Sequence, residues 1–97
     1  MKTFNDIEFK EHPKDPQGFI GQLFFDNGYG ISVIRFKERY GSGYGSYTSN
    51  ESEWECAILK GNKDQWYLCY DTPLTDDVIG HLNANDVTYL MKQIQEL

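Results

Sequence analysis

The sequence predicts an α+β domain, an antiparallel β-meander of about four to five strands with a C-terminal helix packed on one face. Three observations carry this prediction. Five short segments read as strands before the chain reaches Pro73: Ile7–Lys10, Gly18–Phe25, Ile31–Phe36, Glu53–Lys60 and Gln65–Asp71. Asn27-Gly28 sits between two apolar runs, a strong short-range hairpin signal. Val87, Leu90, Met91, Ile94 and Leu97 then recur at helical spacing.

The elements follow in order. Ile7-Glu8-Phe9-Lys10 alternates and reads as a short strand. His12 to Gly18, HPKDPQG, reads as a loop because proline and glycine interrupt regular structure. Gly18 to Phe25 is the next strand, and Gly21 inside it marks a bulge or a close backbone approach. Ile31 to Phe36, ISVIRF, is the returning strand, rich in β-branched residues.

A second hairpin follows the Gly/Tyr/Ser stretch. Its strands are Glu53 to Lys60 and Gln65 to Asp71, with the turn in Gly61-Asn62-Lys63-Asp64. Two registers are possible: one sets Cys56 against Cys69, and the other, preferred because it matches apolar face to apolar face, sets Trp54 against Tyr70, Cys56 against Leu68 and Ile58 against Trp66. That register places Cys56 and Cys69 on opposite faces, which argues against a disulfide. Pro73 stops the strand. Thr75-Asp76-Asp77 reads as a helix start, with Val78, Ile79 and Leu82 as a short apolar stripe. Asn85 or Asn83 then caps the final helix.

The 97 residues suit one domain, 1–97, with no second domain or repeat. The net charge of −6 is unevenly spread. Residues 1–39 hold six Lys/Arg and six Asp/Glu, while residues 40–97 hold three and nine. Phosphates repel such a domain, so direct nucleic-acid binding is not expected. An acidic surface can still meet a basic protein. Met1-Lys2-Thr3 opens no secretory signal, and no apolar run approaches membrane-spanning length. A cytosolic protein with reduced Cys56 and Cys69 is expected.

The chemistry of an enzyme is hard to find. His12 and His81 are the only histidines, and neither lies near a nucleophile in sequence. Two Cys and two His without CxxC or HxxxH spacing do not make a zinc site. Asp71, Asp76 and Asp77 are neighbours, but Asp76 and Asp77 fit a helix N-terminus better than a cation. Gly41-Ser42-Gly43-Tyr44-Gly45-Ser46 has Ser46 where GxGxxG needs its third glycine. No catalytic residue, metal or cofactor is therefore expected.

Two segments remain as candidate sites. Arg35, Lys37 and Arg39 form a cationic row on one strand face, read either as a charged edge or as a clamp for an anion. The second is YGSGYGSYTSNESEWE, Tyr40 to Glu55. Tyr40, Tyr44 and Tyr47 sit on a Gly/Ser backbone, above an acidic rim of Glu51, Glu53 and Glu55. Tyrosines on an adaptable backbone have the composition of antibody paratopes. A flexible connection has the same composition.

The segments NGYGISVIRF, ESEWECAILKGN and WYLCYDTPLTDDVIGHL resemble a group of small proteins encoded by tailed bacteriophages. The resemblance covers Asp26 to Leu97 and carries no catalytic residues. It implies a non-virion protein in the cytoplasm of an infected bacterium. By analogy, it implies a protein that binds and inhibits a host protein, such as a defence system. The leading expectation is thus a non-enzymatic protein that binds a host or phage protein through Tyr40–Glu55. The alternative is a small-molecule or nucleotide sponge using that loop with Arg35, Lys37 or Arg39. An exposed edge such as Ile7–Lys10 offers a surface for a homodimer.

Overall fold

The structure, a computed structural model, describes residues 1–12, 15–35, 53–75 and 77–97, and the side chains of these except residues 12 and 15–17. The α+β prediction holds: one sheet, mostly antiparallel meander, with a C-terminal helix on one face. The strands are β1 (Lys10–His12), β2 (Asp15–Phe24), β3 (Tyr29–Arg35), β4 (Trp54–Asn62), β5 (Gln65–Leu68) and β6 (Ile79–Leu82), followed by helix α1 (Ala84–Gln95). The sheet order is β1-β2-β3-β4-β5, and β6 also pairs with β4. β5 takes Leu59–Asn62 of β4, while β6 takes Trp54 and Cys56, so two short strands share one side of β4.

The β2–β3 hairpin forms where Asn27-Gly28 predicts it. Asn27 also does something the sequence does not announce. Its side-chain amide donates to the carbonyl oxygens of Ile94, at 2.8 Å, and Leu97, at 3.5 Å. The last carbonyls of a helix have no partner within it. The turn therefore caps the helix it lies beneath, and its Oδ1 accepts from the Tyr29 N–H at 3.2 Å.

Helix α1 starts at Asn83, which settles the choice between the two asparagines. Asn83 Oδ1 accepts from the Asp86 N–H at 2.8 Å, and Asp86 Oδ2 accepts from the Asn83 N–H at 3.1 Å. This reciprocal pair is a capping box. Val87, Leu90, Met91 and Ile94 are buried against Ile31, Val33, Cys56 and Ile58. Each such side chain contributes roughly 1.5–3 kcal/mol by leaving water.

The N-terminal residues close one end of this core. Phe4, Phe9 and Trp54 pack as a cluster, with Phe9 stacked on Trp54 at 4.5 Å. Ile7 is buried in the core, so the expected strand at Ile7–Lys10 begins only at Lys10. Gly21 makes room for this chain. A side chain there would run into Ile7 and come within 3.0 Å of the Phe9 ring. The close approach signalled by Gly21 is therefore real.

Four further expectations are corrected. β2 starts at Asp15, inside the segment expected to be a loop. Thr75 does not start a helix: Val78 precedes β6, and Ile79 and Leu82 lie in it. The Thr75 hydroxyl accepts from the Asp77 N–H and donates to the Asp77 carbonyl, at 3.2 and 2.9 Å. A threonine before an acid closes a local turn as readily as it caps a helix. The third correction is the β4–β5 register, which sets Leu59 against Leu68 and Gly61 against Trp66. Its turn is Lys63-Asp64, with Asn62 Oδ1 accepting from the N–H groups of Asp64 and Gln65 at 2.9 and 3.1 Å. The fourth follows from the third: Cys56 and Cys69 join the same core cluster rather than opposite faces. Both are free thiols.

Candidate functional site

Of the expected site residues, Lys37, Arg39, Tyr40, Tyr44, Tyr47 and Glu51 lie outside the described residues. Glu53 stands just before β4, with Oε1 3.1 Å from His81 Nδ1 on β6. Glu55 is buried in β4, at 3% exposure. Its carboxylate belongs to the sheet face carrying Ile34 and Leu59, rather than to a solvent-facing rim. The structure thus separates Glu53 from Glu55: one precedes the strand, and the other is enclosed within it.

Arg35 is held by aromatics. Its guanidinium lies 4.3 Å from the Trp54 ring centre and 5.1 Å from that of Phe19. A cation over an aromatic face is stabilised by about 0.5–2 kcal/mol. Arg35 braces the aromatic cluster across β2, β3 and β4. A second such contact joins β3 to β4: Lys60 Nζ lies 4.0 Å from the Tyr29 ring centre.

The thiols are poor nucleophiles. Burial first, then the neighbouring Glu55 charge, pushes the Cys56 thiol well up. Burial and a hydrogen bond to Asp71 do the same for Cys69, whose Sγ is 2.9 Å from Asp71 Oδ1. A thiol so shifted holds almost no thiolate at neutral pH. Among the described residues, no three His, Cys, Asp or Glu side chains cluster as metal ligands. A cavity of about 230 Å³ lies between β6 and α1, lined by Ile79, Leu82, Asp86, Tyr89, Leu90 and Gln93. Its one acid, Asp86, is engaged in the helix cap.

The unexpected feature is β5. Trp66 is 41% exposed, Tyr67 61% and Leu68 46%, and Tyr70 just beyond is 41% exposed, so a run of large apolar groups faces solvent. The observed register explains this. Cys69, opposite Ile58, turns into the core, while Trp66 and Leu68 turn to the other face beside Gly61 and Leu59. The alternation that reads as a buried stripe is in fact a surface stripe. The turn chemistry at Asn62 is the sequence signal that points to it, because a two-residue turn fixes hairpin register.

Among the described residues β5 is an edge strand, and it carries none of the charges, prolines or register shifts that protect such edges. β1 carries Lys10 and Glu11, is three residues long and has a register shift. β6 has a register shift against β4 and a positive φ of 58° at His81. β5, QWYL, has no charge, proline or register shift. Among the described residues no helix is long and apolar enough to cross a membrane. No protein-family model, curated protein or solved structure matches the chain.

Proposed function

We propose that this protein is a non-enzymatic binding protein that meets other proteins through the aromatic edge of β5 and through the tyrosine-bearing segment that precedes β4, residues 40–53. The observation that carries the reading is the exposed Trp66-Tyr67-Leu68 run on β5, an edge strand among the described residues. Contiguous exposed apolar surface marks interaction sites, and aromatic residues are enriched where proteins meet. Raised, buried thiols favour binding over covalent chemistry. The stacking of Arg35 on Trp54 and Phe19 favours a structural role for it over an anion clamp. The resemblance to phage-encoded proteins supplies the partner class, a protein of the infected bacterium whose activity is inhibited in the host cytoplasm.

The test is a paired substitution, Trp66→Lys with Leu68→Lys. Both side chains are exposed, so the melting temperature should stay within about 4 °C of wild type. Association with protein partners, self or foreign, should fall at least tenfold, read by affinity capture from bacterial lysate and by sedimentation. Undiminished association in the folded double variant would contradict the proposal. So would a wild-type protein that binds neither itself nor any specific protein.

A further inference from the structure

We infer that Asn27 is a self-modifying site: the backbone nitrogen of Gly28 attacks its side chain, the amide leaves as ammonia, and the cap on the end of helix α1 is lost with it. Asn27-Gly28 is the only Asn-Gly pair in the chain. An asparagine side chain brings its Cγ within reach of the next residue's backbone nitrogen, so a five-membered ring can close between them. A side chain on that next residue crowds the nitrogen. The other asparagines precede Asp6, Glu51, Lys63, Ala84 and Asp86, which all carry one. Gly28 carries none, and it takes the positive φ of the turn, 85°, without strain.

The fold leaves this nitrogen open. A Cβ built on Gly28 would meet nothing within 4 Å. Asn27 is exposed, so water reaches it. The Gly28 N–H donates to the Phe25 carbonyl at 3.4 Å, a long bond that holds it weakly. Asn27 Oδ1 accepts from the Tyr29 N–H at 3.2 Å. That bond draws electron density from Cγ and makes it a better electrophile.

The reaction needs water and no redox partner. Water or hydroxide takes the Gly28 N–H proton, and the N–Cγ bond forms. The Cγ–Nδ2 bond breaks, and Nδ2 leaves as ammonia with one added proton. The cyclic imide then takes up one water. Opening at Cγ leaves an aspartate at position 27. Opening at the backbone carbonyl leaves an isoaspartate, with the main chain running through Cγ.

The consequence follows from the bonds that Nδ2 makes. It donates to the carbonyls of Ile94 and Leu97 at 2.8 and 3.5 Å, at the end of α1 where carbonyls have no partner within the helix. An ionised carboxylate has no hydrogen to donate, and it sets a negative charge against the negative end of the helix. Ile94 is buried in the core and Leu97 packs against it, so the loosened turn is one that holds α1 on the sheet. Isoaspartate reaches further, because it lengthens the main chain just before Gly28. The Gly28 carbonyl accepts from the Gly61 N–H at 2.8 Å, which ties this turn to the β4–β5 hairpin.

Ageing the full chain at physiological temperature and mildly alkaline pH tests the site, read by peptide mapping with mass spectrometry. Asn27 should convert several-fold faster than any other asparagine, with ammonia released in step. The Asn27→Asp variant isolates the consequence. It should melt about 4–8 °C below wild type, from the lost helix bond and the misplaced charge. Its backbone amide shifts should move at residues 94–97. Aged wild type should lose melting temperature in proportion to its conversion. Aged Asn27→Gln should keep the melting temperature it had when fresh, because its longer side chain closes a six-membered ring far more slowly. Either of two results would overturn the inference. One is an Asn27 that stays intact while another asparagine reacts. The other is an Asn27→Asp variant as stable as wild type, with unchanged shifts at residues 94–97.

Discussion

Trp54→Ala should lower the unfolding free energy by about 3–5 kcal/mol, the range for removing a buried tryptophan. Trp54 is 8% exposed and holds several elements at once. It stacks on Phe9, touches Phe4, carries the Arg35 guanidinium and pairs with Leu82 of β6. Truncation would remove the floor beneath the N-terminal chain and leave Phe4 and Phe9 facing a void. The loss is a large part of the roughly 5–15 kcal/mol that holds a domain of this kind together. Trp54→Phe should retain the ring contact with Phe9 and lose less. Urea titration of the two variants checks this, and a loss below about 1 kcal/mol for Trp54→Ala would contradict the packing described.

The second large effect is expected at Gly61, beside the β5 turn. Its φ of 125° lies where side chains are strained, and a Cβ there would collide with the Gln65 carbonyl and approach the Trp66 Cα to 3.0 Å. These are backbone atoms, which cannot swing aside as a side-chain end can. Gly61→Val should therefore cost about 2–4 kcal/mol, from strain of about 1–3 kcal/mol together with the clash. It should also disturb the β4–β5 pairing and with it the presentation of Trp66 and Leu68. Chemical denaturation gives the first effect and the backbone amide shifts of residues 65–68 the second. A variant as stable as wild type, with unchanged β5 shifts, would show that the hairpin does not need this conformation.

How far the sequence speaks depends on which force decides each element. The α1 face was legible because Val87, Leu90, Met91 and Ile94 repeat at helical spacing and all four are buried. The β2–β3 turn was legible because Asn27-Gly28 suits a hairpin loop. β6 was not, because Thr75 and Asp77 make a local turn from the residues that would also open a helix. The β5 register was not, because apolar matching assumes that aromatic residues seek the core. Here the Asn62 turn fixes the register, and it sends Cys69 inwards and Trp66 and Leu68 outwards. A surface stripe of aromatics and a core stripe have the same spelling. The acidic rim does not form as expected: β4 encloses Glu55, Glu53 lies before the strand against His81, and Glu51 lies outside the described residues.

The most direct measurement of the central claim is amide hydrogen exchange at β5, followed by NMR as protein concentration rises. In dilute solution the Tyr67 and Cys69 amides, bonded to β4, should exchange slowly, while those of Trp66 and Leu68 should exchange fast. At high concentration, or with a captured partner, the Trp66 and Leu68 amides should slow at least tenfold as a strand joins the edge. If they stay fast under every condition in which the protein is associated, β5 is not its contact surface.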